Sequence, residues 1–155
     1  VIGYGGGDTA LTVHRALADP AANDRPTHTR LHDILLEQLE LPRGGVRVLD
    51  AGCGLGGTMI DLAVRAEADC QGLTLSAAQA GRANAEAARR GLAGRVHASV
   101  GSYDAPPPGP FDVIVAIESL AHSPGPAVSL AALVRTMAPG GRLPVVDEMP
   151  LPGAD

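Results

Sequence analysis

The stretch Val48-Leu49-Asp50-Ala51-Gly52-Cys53-Gly54-Leu55-Gly56-Gly57 predicts a buried strand that runs directly into a glycine-rich turn. Val48 and Leu49 are apolar strand residues, and Asp50 places a carboxylate at the carboxyl end of that strand. The glycines let the backbone approach a ligand without interference from side chains. Residues 58–68 have helical spacing, so a bound ligand would lie at a helix N-terminus, outside the sheet.

The spacing of these glycines, taken alone, leaves two cofactors open. Gly52, Gly54 and Gly57 satisfy the G-x-G-x-x-G pattern of dinucleotide-binding proteins, which is typical of an NAD(P)-dependent oxidoreductase. Residues 50–56 also satisfy the D-x-G-x-G-x-G pattern of S-adenosylmethionine-dependent methyltransferases. A glycine-rich loop that only turns the chain is a third interpretation, so the rest of the sequence must decide.

The composition indicates one domain with an aliphatic core, because 45% of the 155 residues are apolar and only 2% are aromatic. A net charge of −5 argues against a nucleic-acid partner, which requires a basic face. Cys53 and Cys70 have no CxxC or histidine context, so neither a disulfide framework nor a metal site is predicted. No apolar run reaches the roughly 20 residues that cross a bilayer. We expect no leader, no membrane span and a cytoplasmic location, with an oligomer as one possible state.

Alternating patterns predict an α/β fold with a doubly wound, mostly parallel sheet. Strands are expected at residues 48–50, 70–75, 95–100, 111–117 and 142–147, and helices at 29–41, 58–68, 77–90 and 126–138. Pro144 weakens the last strand, because it cannot donate a ladder hydrogen bond. Residues 1–28 are expected to form an N-terminal lid or cap segment, and residues 29–155 the cofactor-binding core.

The second predicted strand bears on the choice of cofactor. A dinucleotide enzyme places an acidic residue about 20 residues beyond the glycines, at the carboxyl end of that strand. Here the strand ends in Gly72-Leu73-Thr74-Leu75-Ser76, and Asp69 lies at its other end. The missing acid weakens the oxidoreductase interpretation. Ser76 and Gln79 instead form a capping box, in which each side chain bonds the other residue's backbone N–H.

Residues 72–79 resemble the G-[VIL]-T-[LI]-S-x-x-Q segment of cyclopropane-fatty-acid synthases and tocopherol C-methyltransferases, which belong to the class I S-adenosylmethionine-dependent methyltransferases. Residues 48–57 are similar to the first motif of that family, and Ala138-Pro-Gly-Gly-Arg142 to the segment before its fifth strand. The resemblance extends from residue 29 nearly to the end of the chain. It implies a Rossmann-like methyltransferase core with S-adenosylmethionine as cofactor. It also implies two further strands, which the chain is expected to lack.

The resemblance implies where each part of the cofactor binds. The glycine loop would approach the methionine part, with Asp50 orienting its ammonium group or a water beside it. Thr74 and Gln79 would contact the nucleoside in place of the missing acid, and Asp104 would accept the exocyclic amine of adenine. Tyr4 would belong to an aromatic-glycine segment that folds over the cofactor. The predicted contact residues are Tyr4, Asp50, Gly52, Cys53, Gly54, Thr74, Leu75, Gln79, Ser102, Tyr103, Asp104 and Ile117.

The stretch Ile117-Glu118-Ser119-Leu120-Ala121-His122-Ser123 is similar to an E-S-x-E-H stretch that faces the substrate in tocopherol-type relatives. The resemblance implies catalytic roles for Glu118 and His122. His122 is the candidate general base where the acceptor must lose a proton, and Glu118 would orient the cofactor or stabilise a cationic centre. Ala121 replaces an acid that helps hold bicarbonate in cyclopropane synthases, so plain methyl transfer to a small-molecule acceptor is favoured over cyclopropanation.

Two alternatives to this hypothesis remain. One is the NAD(P)-dependent oxidoreductase that the glycine spacing allows. The other is a truncated cofactor-binding fragment without activity, because the chain is expected to stop after the fifth strand.

Overall fold

The computed structural model describes residues 11–12, 14, 17–19 and 25–147. Tyr4 lies outside the described residues. The strands are β1 (Leu17–Asp19), β2 (Arg25–Thr27), β3 (Arg47–Ala51), β4 (Asp69–Thr74), β5 (Val96–Val100), β6 (Phe111–Ile117), β7 (Met137–Arg142) and β8 (Val145–Val146). The α-helices are α1 (Arg30–Leu39), α2 (Gly57–Arg65), α3 (Ala77–Arg89) and α4 (Pro126–Val134), and a 3-10 turn spans Leu120–His122. None of these helices is long and apolar enough to cross a bilayer.

Strands β3 to β8 form a sheet in which every described pairing is parallel. The spatial order is β5-β4-β3-β6-β7, with β8 also beside β6. The order therefore reverses between β3 and β6, and a crevice opens outside the carboxyl ends of strands at such a point. The predicted parallel α/β sheet is confirmed, and β1 and β2 form a separate antiparallel pair.

Helices cover both faces of this sheet. Leu35 of α1, Leu62 of α2 and Ala83 of α3 belong to one buried cluster, which packs against one face. Leu133 of α4 and Ile114 of β6 belong to a second cluster on the other face. β6 is consequently buried along nearly its whole length, as its continuous apolar run predicts.

The C-terminal part of the sequence prediction is wrong at the end of the helix and in its single strand at 142–147, which is replaced by β7 and the short β8. The helix ends at Val134 rather than at residue 138, and residues 137–142 form β7. Met137 pairs with Phe111, so contacts with the central strand override the helical spacing and the Pro-Gly-Gly sequence. Pro144 separates β7 from β8 and contributes only its carbonyl, which accepts the Ala116 N–H at 3.1 Å.

The N-terminus of α3 confirms half of the predicted capping box. The hydroxyl of Ser76 accepts the backbone N–H of Gln79 at 3.3 Å. The reciprocal half is wrong, because the Ser76 N–H donates to the hydroxyl of Thr74 at 3.2 Å. At α1 the cap residue Thr29 makes no side-chain capping bond, and the hydroxyl of Thr27 accepts the Arg30 N–H instead.

These two helix starts provide a matched test of capping. We expect Ser76→Ala to lower the free energy of unfolding by about 1 kcal/mol, because one N–H in the first turn of α3 loses its acceptor. Thr29 is a cap residue without such a bond. Thr29→Ala should therefore change the free energy of unfolding by only about a few tenths of 1 kcal/mol. Urea denaturation of both variants measures the difference, and equal losses would contradict the assignment.

Candidate cofactor-binding site

The glycine loop between β3 and α2 is tied to β4 by its own backbone. The N–H groups of Gly52 and Cys53 both donate to the carbonyl of Leu73, at 3.1 and 2.8 Å. Gly52 has a φ of +112°, and a Cβ added there would lie 2.5 Å from the Cβ of Ser119. Only glycine therefore fits where the loop passes the turn that follows β6.

A cavity of about 340 Å³ opens beside this loop, at the carboxyl ends of β3, β4 and β6. It brings together the glycine loop, the end of β4, the start of α3 and both predicted catalytic residues. The lining residues are Gly52, Gly54, Leu73, Thr74, Leu75, Gln79, Gly101, Tyr103, Glu118, Ser119 and His122. Residues from five separate segments of the sequence thus meet around one space large enough for a small organic molecule.

Thr74 and Gln79 line the cavity as a bonded pair. The hydroxyl of Thr74 donates to the side-chain oxygen of Gln79 at 2.6 Å. This bond leaves the amide NH₂ of Gln79 to act as a donor toward a ligand. Leu75 also lines the cavity, and 80% of its surface is exposed. A bound ligand could therefore bury this apolar side chain.

The turn that follows β6 carries Glu118 and His122. Glu118 has a φ of +45°, a backbone conformation that is uncommon for a residue other than glycine and concentrates at functional sites. The hydroxyl of Tyr103 donates to the Ser119 carbonyl at 3.0 Å. Burial, and then the nearby carboxylates of Asp104 and Asp147, raise the pKa of Tyr103. Tyr103 therefore stays a neutral donor near neutral pH.

Sequence reasoning missed three residues of the cavity wall, Leu73, Gly101 and Ser119. Ser119 is the most informative, because its hydroxyl is buried and has no hydrogen-bond partner among the described residues. The sequence contained a signal for Ser119, because it lies in the stretch that resembles the substrate-facing E-S-x-E-H motif. The cavity wall therefore holds a polar atom whose bonding is unsatisfied.

Asp50, Cys53 and Ile117 line a second space of about 20 Å³ rather than the large cavity. Thr12 and His14 of the N-terminal segment close it, and Gly52 borders both spaces. A volume of this size accommodates one water molecule. Asp50 is 3% exposed, and its burial raises its pKa to about 7. Burial and the charge of Asp50 also raise the pKa of the Cys53 thiol, which disfavours a reactive thiolate.

The structure does not bring Ser102 or Asp104 into the cavity. The carboxylate of Asp104 accepts the hydroxyl of Ser102 at 3.2 Å and that of Ser129 in α4. Its neighbour Tyr103 is the residue of this loop that lines the cavity. Asp104 thus joins the loop after β5 to α4, and this geometry does not support its predicted contact with adenine.

An all-parallel sheet with a glycine loop and a cavity at its switch point defines an α/β protein of the class that binds nucleotide-type cofactors. Residues 48–141 match the family model described as "Methyltransferase domain". The chain therefore belongs to the methyltransferase domain family, and it has the Rossmann-like fold of the class I methyltransferases. This membership resolves the ambiguity of the glycine spacing in favour of the methyltransferase motif.

One curated relative is a probable chloroplastic tocopherol O-methyltransferase from Oryza sativa subsp. japonica. It is 43% identical over 101 residues, which are 64% of this chain and 28% of the relative. The [4+2]-cyclase SpnF is a solved structure that is 30% identical, with a TM-score of 0.79 over 88% of this chain and 51% of its own.

A geranyl diphosphate methyltransferase in complex with SAM is 26% identical, with a TM-score of 0.74 over 85% of this chain and 60% of its own. The chain thus spans less than two thirds of the length of each of these three proteins.

Proposed function

We propose that this chain binds S-adenosylmethionine in the large cavity and transfers its methyl group to a small-molecule acceptor by in-line displacement. One observation carries the proposal: the glycine loop, the Thr74–Gln79 pair, Glu118 and His122 all line the same 340 Å³ space. Family membership supports it, as do the similarities to a tocopherol methyltransferase and to a methyltransferase solved in complex with SAM.

The chemistry of the lining fits this cofactor better than a dinucleotide. Among the residues that the structure describes, the lining includes the carboxylate of Glu118 and neither lysine nor arginine, which suits a cationic sulfonium and disfavours a pyrophosphate. A pyrophosphate would also need free N–H groups at the start of α2, and the Gly57 N–H already donates to the Leu11 carbonyl at 3.2 Å. The exposed side chain of Leu75 supplies an apolar part of the wall.

When bound, S-adenosylmethionine supplies a methyl group on a positively charged sulfur. The protein must align the acceptor with that methyl at about 3 Å and exclude water, because displacement needs little other chemistry. Glu118 provides a negative charge at the cavity wall, which favours a cationic ligand. His122 provides an imidazole that takes the proton from an acceptor that must lose one. Tyr103 donates to the Ser119 carbonyl and so holds the wall beside them.

A second candidate function is cofactor binding without methyl transfer, because one structural neighbour is a [4+2]-cyclase. The chain matches the [4+2]-cyclase SpnF over 88% of its length, so the fold alone does not select methyl transfer.

Calorimetry and product analysis distinguish these functions. We expect S-adenosylmethionine and S-adenosylhomocysteine to bind at least 100-fold more tightly than NADH. Incubation with a panel of sterol, terpenoid, quinone, amine and fatty-acyl acceptors should then release S-adenosylhomocysteine. Binding without release favours the cofactor-binding alternative, and absence of binding contradicts both candidates.

Two histidine variants test whether His122 takes part in methyl transfer. His122→Ala should retain cofactor affinity within a few-fold and lose at least 10-fold in turnover if the acceptor requires a base. His97→Ala is the matched control, because His97 is exposed on β5 and does not line the cavity. Equal effects of the two substitutions would remove His122 from the mechanism.

A further inference from the structure

The turn that carries His122 is held by side chains from two distant segments. On one side, the hydroxyl of Tyr103 donates to the carbonyl of Ser119 at 3.0 Å. On the other side, the backbone N–H of Ala121 donates to a carboxylate oxygen of Asp147 at 2.8 Å. Ala121 and His122 belong to the same 3-10 turn, so both bonds constrain the backbone from which the imidazole projects.

The pairing of β8 with β6 places Asp147 beside the 3-10 turn. β8 pairs with the end of β6, and the N–H of Glu118 donates to the carbonyl of Val146 at 2.7 Å, which extends the ladder by one step. Asp147 is the next residue along the chain. Its carboxylate meets an N–H group at the start of a short helix, where backbone donors lack intrahelical partners and anionic acceptors bind them strongly.

The side chain of His122 needs such support, because it is exposed and so lacks the packing that would fix a buried ring. A side chain of this kind is oriented mainly through its backbone. Displacement reactions are sensitive to misplacement of a catalytic group by as little as about 1 Å.

We propose that Asp147 is a positioning residue, which holds the 3-10 turn so that the imidazole of His122 faces the cavity. This inference rests on the proposed function, because it assigns His122 a role in turnover. Asp147 does not line the cavity, so its effect should reach the reaction through the turn and not through the cofactor.

The full chain with Asp147→Ala or Asp147→Asn tests the proposal. In Asp147→Ala, we expect the Ala121 amide to exchange its hydrogen at least 10-fold faster. Turnover should fall about 10-fold, while the KM for S-adenosylmethionine stays within threefold. Asp147→Asn should recover most of both losses, because its amide oxygen still accepts the Ala121 N–H. Addition of S-adenosylhomocysteine should change the NMR chemical shifts of the His122 ring. This change should be smaller than in the wild type only in the alanine variant.

Asp112→Ala is the matched control, because a carboxylate oxygen of Asp112 accepts the backbone N–H of Arg47 at the same distance of 2.8 Å, at the amino ends of β3 and β6 and so away from the cavity. This variant should lose stability without changing exchange at Ala121 or turnover. The proposal is overturned if Asp147→Ala leaves either quantity unchanged, or if Asp112→Ala lowers turnover equally. If the wild-type chain releases no product, the proposed function fails, whereas amide exchange and the His122 ring signals still decide whether Asp147 holds the turn.

Discussion

Replacing Gly52 with alanine is expected to abolish cofactor binding and to lower the free energy of unfolding by about 4 kcal/mol. Two effects add at this position. The φ of +112° is a conformation that alanine adopts only under strain, and the new Cβ would lie 2.5 Å from the Cβ of Ser119. Gly52 borders both the large cavity and the space around Asp50. Any backbone shift that relieves the clash therefore displaces the glycine loop.

Gly81→Ala is the matched control for Gly52→Ala. Gly81 lies in α3 with nothing within 4 Å of its added Cβ, so alanine should stabilise the helix by about 0.5–1 kcal/mol and leave binding unchanged. The double variant Gly52→Ala with Ser119→Gly removes the facing Cβ and should recover at least about 1 kcal/mol, a coupling that a double-mutant cycle measures. Denaturation and calorimetry with S-adenosylhomocysteine report both properties. Wild-type affinity in Gly52→Ala would show that the loop is not the cofactor cradle.

The parts of the site that sequence predicted well are those governed by local rules. A run of glycines after an apolar strand requires a tight turn, and the structure places Gly52 where a side chain cannot fit. The start of α3 is similarly local, because Ser76 and Gln79 are three residues apart. The glycine turn and the start of α3 both depend on backbone geometry over a few residues, and the local amino-acid sequence determines that geometry.

The parts that sequence could not predict depend on contacts between distant segments. Sequence placed Ser102, Tyr103 and Asp104 together at the cofactor, and no pattern in this loop indicates that Asp104 instead bonds Ser129, a residue 25 positions away, while Tyr103 lines the cavity. Asp147 reaches Ala121 across 26 positions only because β8 pairs with β6. The misassigned β7 has the same cause, since pairing of Met137 with Phe111 outweighs the local preference of the Pro-Gly-Gly sequence.

The stability of the cofactor-free chain should fall as the pH rises from about 4 to 7, because of Asp50. Burial raises the pKa of this carboxyl group from 3.8 to about 7. The folded chain therefore holds a proton in this range that the unfolded chain has released, and stability decreases with rising pH. At about 1.4 kcal/mol per pH unit, the loss attributable to Asp50 approaches about 4 kcal/mol above pH 7. Denaturation midpoints between pH 4 and 8 measure it.

Asp50→Asn isolates this contribution, since asparagine keeps the shape of the side chain and cannot ionise. The variant should be more stable than the wild type at pH 8 and similar to it near pH 4. Asp112→Asn, near the amino end of β6, is the control and should retain the decline in stability. If the ammonium group of S-adenosylmethionine lies beside Asp50, its affinity should rise with pH through about 7, with proton release, and fall at least 10-fold in Asp50→Asn at pH 8. A pH-independent affinity in the wild type would place that ammonium group away from Asp50.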